Sequence, residues 1–168
     1  MNRAARQLLL VVLLSACSAS TPRVTLEAPS GAQPMGAWYG VFLEPLEGPN
    51  SSPIARLIVA FVDERWACAG DFTGDAVSFA FEVFSAGSTS STVLSRSGPD
   101  LAASSGGTGQ VVLDRVDDRY EGQGDAGPVV ADGGRVDGHA DFDFGGGLLL
   151  KGSFHAPHCP ALDFRNAP

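Results

Sequence analysis

The feature that most restricts the fold is a stretch of strict alternation towards the C-terminal end. Val136, Gly138, Ala140, Phe142 and Phe144 share one parity; Arg135, Asp137, His139, Asp141 and Asp143 share the other. A period of two is that of a strand with one buried and one wet face. Gly145-Gly146-Gly147 follows, and residues 148–156 alternate again before Pro157. Two alternating runs around a three-residue glycine loop predict an antiparallel hairpin. In that register Phe144 faces Leu148 and Phe142 faces Leu150, while Asp141 lies opposite Lys151 and Asp137 opposite His155. A slip of one residue would mix the apolar and charged faces, so the pairing is strongly specified.

The same signature recurs upstream. Trp38-Tyr39-Gly40-Val41-Phe42-Leu43 predicts a strand stopped by Pro45 and the Gly48-Pro49-Asn50 turn. Residues 56–62 (Arg-Leu-Ile-Val-Ala-Phe-Val) are almost wholly apolar, as a strand covered on both faces would be. Val77, Phe79, Phe81 and Val83 alternate with Ser78, Ala80, Glu82 and Phe84. Residues 92–95 and 111–116 predict two further strands, with a mobile Gly/Ser-rich loop over 97–109 between them; residues 119–125 are expected to return beside the second. Interior glycines at 122, 138 and 152 mark a bulge or a close backbone approach, and Gly138 is expected to face Phe154. About eight short strands and no helical periodicity predict an all-β chain, either an antiparallel β-sandwich or a small up-and-down barrel. At 168 residues it is one domain. Trp38, Tyr39 and Trp66, with ten phenylalanines, read as core, and alternation does not separate a filled barrel from a hollow one.

The N-terminus carries different information. Residues 1–6 hold Arg3 and Arg6 and no acid, residues 8–14 are an apolar run, and Leu14-Ser15-Ala16-Cys17 follows. A positive start, a short apolar stretch and small residues before the cut predict a secretory signal peptide over 1–16. Its last residues resemble the lipobox of bacterial lipoproteins. That resemblance implies a lipidated Cys17 as the mature N-terminus, with the covalent lipid as the one prosthetic group and no other cofactor. Ser18, in place of the Asp that retains such proteins at the inner membrane, implies the outer membrane, facing the periplasm or the cell surface. The end of the body, Gly152-Ser153-Phe154-His155-Ala156-Pro157-His158-Cys159, is similar to that of small β-rich envelope lipoproteins of Gram-negative bacteria, a group that implies no activity. The expected organisation is a signal peptide (1–16), a lipidated Cys and Ser/Thr/Pro-rich flexible tether (17–36), a β domain (37–164) and a short tail (165–168).

With Cys17 lipidated, Cys68 and Cys159 remain. In an oxidising compartment they are expected to form one structural disulfide. The net charge of −8 argues against nucleic acid as a partner. Sequence motifs for a nucleophile elbow, a His-Glu-x-x-His zinc site, a phosphate loop or a dinucleotide fingerprint are missing. Calcium would need six to eight oxygens from a tight loop; Asp141-Phe142-Asp143-Phe144-Gly145 lacks the third Asp and closing Glu of an EF-hand. His139, His155 and His158 are the candidate ligands for zinc or copper, with Asp137 orienting His155 from behind. The expected function is therefore a lipid-anchored envelope module with a non-catalytic binding or structural β domain. Its expected partner is an envelope protein, a glycan or a small apolar ligand. The alternative is a metal-dependent or hydrolytic envelope enzyme using the three histidines. Gathering of those histidines around a pocket favours the enzyme; dispersal over an outer face favours the binding module.

Overall fold

The computed structural model describes residues 23–44, 54–68, 74–83, 85–102, 104, 106–117, 120–124, 127–130 and 134–163. The expected signal peptide, Cys17, Ser18, the 45–50 turn, Phe84 and the 165–168 tail lie outside the described residues.

Short runs of β-branched and aromatic residues, punctuated by glycine, become strands. They are β1 (Val24–Ala28), β2 (Gly31–Glu44), β3 (Ile54–Asp63), β4 (Ala76–Phe81), β5 (Thr89–Ser90), β6 (Val93–Ser97), β7 (Thr108–Asp117), β8 (Tyr120–Gly124), β9 (Gly127–Val130), β10 (Arg135–Asp143) and β11 (Leu149–Pro157). A single 3-10 turn, Pro160–Leu162, follows. Nine strands form one antiparallel sheet in the order β5-β7-β10-β11-β1-β2-β3-β4-β6, and β8 pairs with β9 as a separate hairpin. The large sheet curls into a half-barrel. Its two ends are joined at one corner: Thr89 and Ser90 pair with Val112 and Val111 on β7, while the Ser90 hydroxyl donates to the Ala80 carbonyl of β4 at 2.6 Å.

The β10–β11 hairpin has the register that the alternation predicts. Phe142 faces Leu150, Asp141 faces Lys151 and Asp137 faces His155. Gly138 lies opposite Phe154, beside a bulge in the β7 pairing. A Cβ there would sit 2.1 Å from the Val112 carbonyl oxygen and 2.6 Å from the Phe154 ring, so only glycine lets these strands approach.

Inward-facing residues fill the curl. Tyr39, Phe61, Phe79, Phe142 and Phe154 join Leu26, Leu57, Leu113 and Leu150 in one buried cluster. Four aromatic pairs stack edge-on or tilted: Phe61 on Phe79 and Phe154, and Phe142 on Phe79 and Phe144. Among the described residues, these side chains pack the inward side of the curl. Leu57 to Val62 are each at most 2 % exposed, because β3 is covered on its outer face too. There Ala60, Val62, Trp66, Ala76, Cys159 and Leu162 form a second buried cluster, with Trp38 and Cys68 packed against it. The Cys68–Cys159 disulfide, spanning 91 residues, closes this outer cluster. By loop-closure entropy such a bridge stabilises a fold by about 4–5 kcal/mol. Cys68 holds a left-handed backbone, φ 54°, which for a non-glycine residue costs about 1–2 kcal/mol.

Three expectations need correction. The tether does not extend to residue 36, because β1 and the start of β2 lie within 17–36. Val24 and Leu26 are 1 % and 0 % exposed, and β1 is paired on both edges, to β11 and to β2. Two apolar residues suffice because neighbours supply all the rest of the strand's partners; the surrounding Ser, Thr, Pro and Ala masked the short alternation. Secondly, within the expected 119–125 return, β8 (Tyr120–Gly124) pairs with β9 and not with β7; beside β7 lies β10. Thirdly, the 97–109 loop is tied to the core: Leu101 is fully buried.

Candidate functional site

A groove of about 490 Å³ opens at the turn end of the curled sheet, lined by Pro29, Pro99, Asp100, Ser104, Phe144, Gly145, Gly146 and Leu148. Three connections build it: the β1–β2 turn, the loop after β6 and the triglycine turn between β10 and β11.

The loop after β6 is held from below by Asp75, a carboxylate only 4 % exposed. One Asp75 oxygen accepts the N–H groups of both Asp100 and Leu101, each at 2.9 Å. The other accepts Gln33 Nε2 at 3.4 Å. Charge-assisted bonds of this type contribute about 1.5–3 kcal/mol each. Gly98 passes so close that a Cβ would lie 2.4 Å from the Asp75 backbone. Leu101 then plugs the interior cluster beneath the loop. On the far side, Arg96 donates to the Ser104 carbonyl and hydroxyl at 2.8 and 2.9 Å, with its guanidinium 5.4 Å above the Phe144 ring. Across the groove the Ser30 hydroxyl donates to Asp100 Oδ2 at 2.9 Å.

The triglycine turn is equally constrained. Gly145, Gly146 and Gly147 all have positive φ, at 81°, 65° and 83°. Asp143 accepts the Gly145 N–H at 2.7 Å, and Phe144 and Leu148 close the turn by a backbone bond of 2.9 Å. The space above Gly145 and Gly146 is open. The groove is therefore a cleft with two proline faces, exposed glycine backbone and the Asp100 carboxylate, while the Ser104 hydroxyl is held by Arg96 and the Leu101 carbonyl. The Asp100 carboxylate can accept hydrogen bonds from a neutral or basic ligand.

The histidines lie elsewhere. His139 on β10 and His155 on β11 are about half exposed on the outer face, at 48 % and 47 %. His139 Nδ1 is 3.0 Å from Asp114; His155 Nδ1 is 2.6 Å from Asp137, which also accepts Arg135 at 2.8 Å. His158, by contrast, is 5 % exposed. It tilts against the Tyr39 ring, with centroids 5.3 Å apart, and its Nε2 is 3.0 and 3.1 Å from the two Asp163 oxygens. Each histidine is thus committed to a different carboxylate, and the structure does not bring the three together. Among the described residues no three His, Cys, Asp or Glu side chains are grouped to hold a metal ion.

At Asp63, beside this outer surface, the Arg65 side chain and N–H bind the carboxylate at 2.6–3.0 Å. They hold its pKa down at about 2.

Sequence reasoning missed Asp75, Arg96 and Asp100 as builders of the groove. Their partners lie far along the chain or inside an irregular loop, where no periodicity reports them. No known protein family, curated protein or solved structure matches this chain.

Proposed function

We propose that the protein is a lipid-anchored envelope module whose β domain acts by binding, without catalysis. The observation that carries the anchor is the order of residues 1–17: two arginines, a short apolar run and Leu14-Ser15-Ala16-Cys17. Several acyl chains on Cys17 hold a protein to a bilayer far more firmly than one. Val24 begins the sheet seven residues beyond Cys17, so the domain stays within about 25 Å of its lipid, at roughly 3.5 Å per extended residue. Without Arg3 and Arg6 the cleaved body carries 9 basic against 19 acidic side chains, a net charge of −10, which keeps it off an anionic lipid face.

The groove at the turn end supports the binding reading, with an envelope protein segment or a glycan as its occupant. The dispersal of His139, His155 and His158 over separate carboxylates supports binding over histidine-based catalysis.

The test is expression of the full chain in a Gram-negative host, followed by intact mass of the membrane fraction. Acyl mass on a chain beginning at Cys17, lost in Cys17→Ser, is the expected result. A wild-type chain recovered soluble and unacylated overturns the anchor. Envelope glycan fragments and peptides, titrated while the amide resonances of Ser104, Gly145 and Gly146 are followed, then test the groove.

A further inference from the structure

We infer that residues 158–163 form a redox-sensitive strap, locked over the upper edge of β2 by the Cys68–Cys159 disulfide and released when a dithiol reduces it. This inference is independent of the lipid anchor and of the groove.

The strap sits where β11 and β2 come together. Beyond the β1 pairings of Val24–Ala28, β11 and β2 meet directly in a parallel bridge between His158 and Tyr39. The Cys159 N–H donates to the Tyr39 carbonyl at 2.7 Å. The Val41 N–H donates to the Asp163 carboxylate at 2.8 Å, which also binds His158. Leu162 lies on Gly40, where a Cβ would approach it to 2.5 Å. The strap therefore pairs the edge of β2 at Tyr39 and Val41.

Three observations mark it as separable. Its apolar residues, Cys159 and Leu162, belong to the outer cluster and contribute nothing to the interior one. Segments whose contacts form a separate unit open locally without unfolding the whole. Cys68 is partly exposed while Cys159 is fully buried, so an attacking thiolate meets Cys68 first. And Cys68 is held in a left-handed backbone, a strain relieved once the bond is broken.

The step balances with a protein or small-molecule dithiol as reductant. Its thiolate attacks the Cys68 sulfur, and Cys159 leaves as a thiolate. The second thiol of the reductant then displaces Cys68. The dithiol ends as a disulfide, and its two protons end on the Cys68 and Cys159 thiols. Release of the strap uncovers Trp38 and Trp66, which stack edge-on 5.8 Å apart, and strips Cys159 and Asp163 from the β2 edge. An uncovered strand edge accepts an extended segment of another chain.

The experiment is a dithiothreitol titration of the full chain in detergent. Trp38 and Trp66 are the chain's two tryptophans, so their emission reports the strap. Reduction is expected to shift that emission to the red and to place alkylation at Cys68 and Cys159. The Val41 and Cys159 amides should exchange at least about tenfold faster, while those of Phe61 and Phe142 remain slow. Cys68→Ser should show the same open state without reductant. Unchanged emission and exchange after full reduction would overturn the proposal. So would loss of protection across the whole sheet, which would make the bond a staple of the entire fold.

Discussion

Asp75→Ala tests how the groove is built. The substitution removes the acceptor for the Asp100 and Leu101 N–H groups, both at 2.9 Å, and for Gln33. Leu101 is fully buried, so its N–H finds no water in exchange, whereas Asp100 is half-buried and recovers part of its loss. At about 1.5–3 kcal/mol for the buried bond and about 1 kcal/mol for the other, the change costs about 2.5–4 kcal/mol. For a domain of this size that lowers Tm by roughly 5–16 °C. Urea unfolding gives the free energy, and hydrogen exchange locates it: the Leu101 amide should lose protection before the β3 amides do. Asp75→Asn keeps one carbonyl acceptor and should cost about 1 kcal/mol. A loss below about 0.5 kcal/mol in Asp75→Ala would refute the reasoning, since an unpaired buried N–H cannot be that cheap.

Other expectations follow from packing and charge. Gly138→Ala puts a methyl 2.1 Å from the Val112 carbonyl oxygen and should destabilise by about 2–3 kcal/mol, read by chemical denaturation. Phe142→Ala empties the centre of the aromatic cluster and should cost about 3–5 kcal/mol by the same measurement. The Asp63 carboxyl, held at about 2 by Arg65, adds stability above its unfolded value near 4 that disappears as pH falls through about 2. Arg65 is 86 % exposed, so solvent screening keeps the contribution small. In Arg65→Ala, NMR titration should return Asp63 to about 4.

The β10–β11 hairpin was legible residue by residue, because its signal is local. Period two, a glycine turn and complementary faces all lie within one short stretch, and they agree only in one register. The apolar 57–62 stretch likewise announced a strand covered on both sides. The disulfide followed from having two cysteines left after Cys17. β1 carried a signal too: Val24 and Leu26 alternate with Thr25 and Glu27 before a Pro-Ser-Gly turn. Two apolar positions are too few to stand out from a tether-like composition.

Strand order, by contrast, was decided by the tertiary structure. Placing β1 between β11 and β2 joins the two ends of the chain in one sheet, and such pairing is chosen by the total area buried, which no local window contains. The same holds for Asp75 gripping a loop 25 residues away, and for the strap that pairs with β2 at Tyr39. The histidines make the point most directly. Spacing alone allowed His139, His155 and His158 to converge. The pleat sends His139 and His155 outward, and the turn after β11 buries His158 against Tyr39. Period and composition determine which residues face the core; only the closing of the sheet determines which surfaces meet.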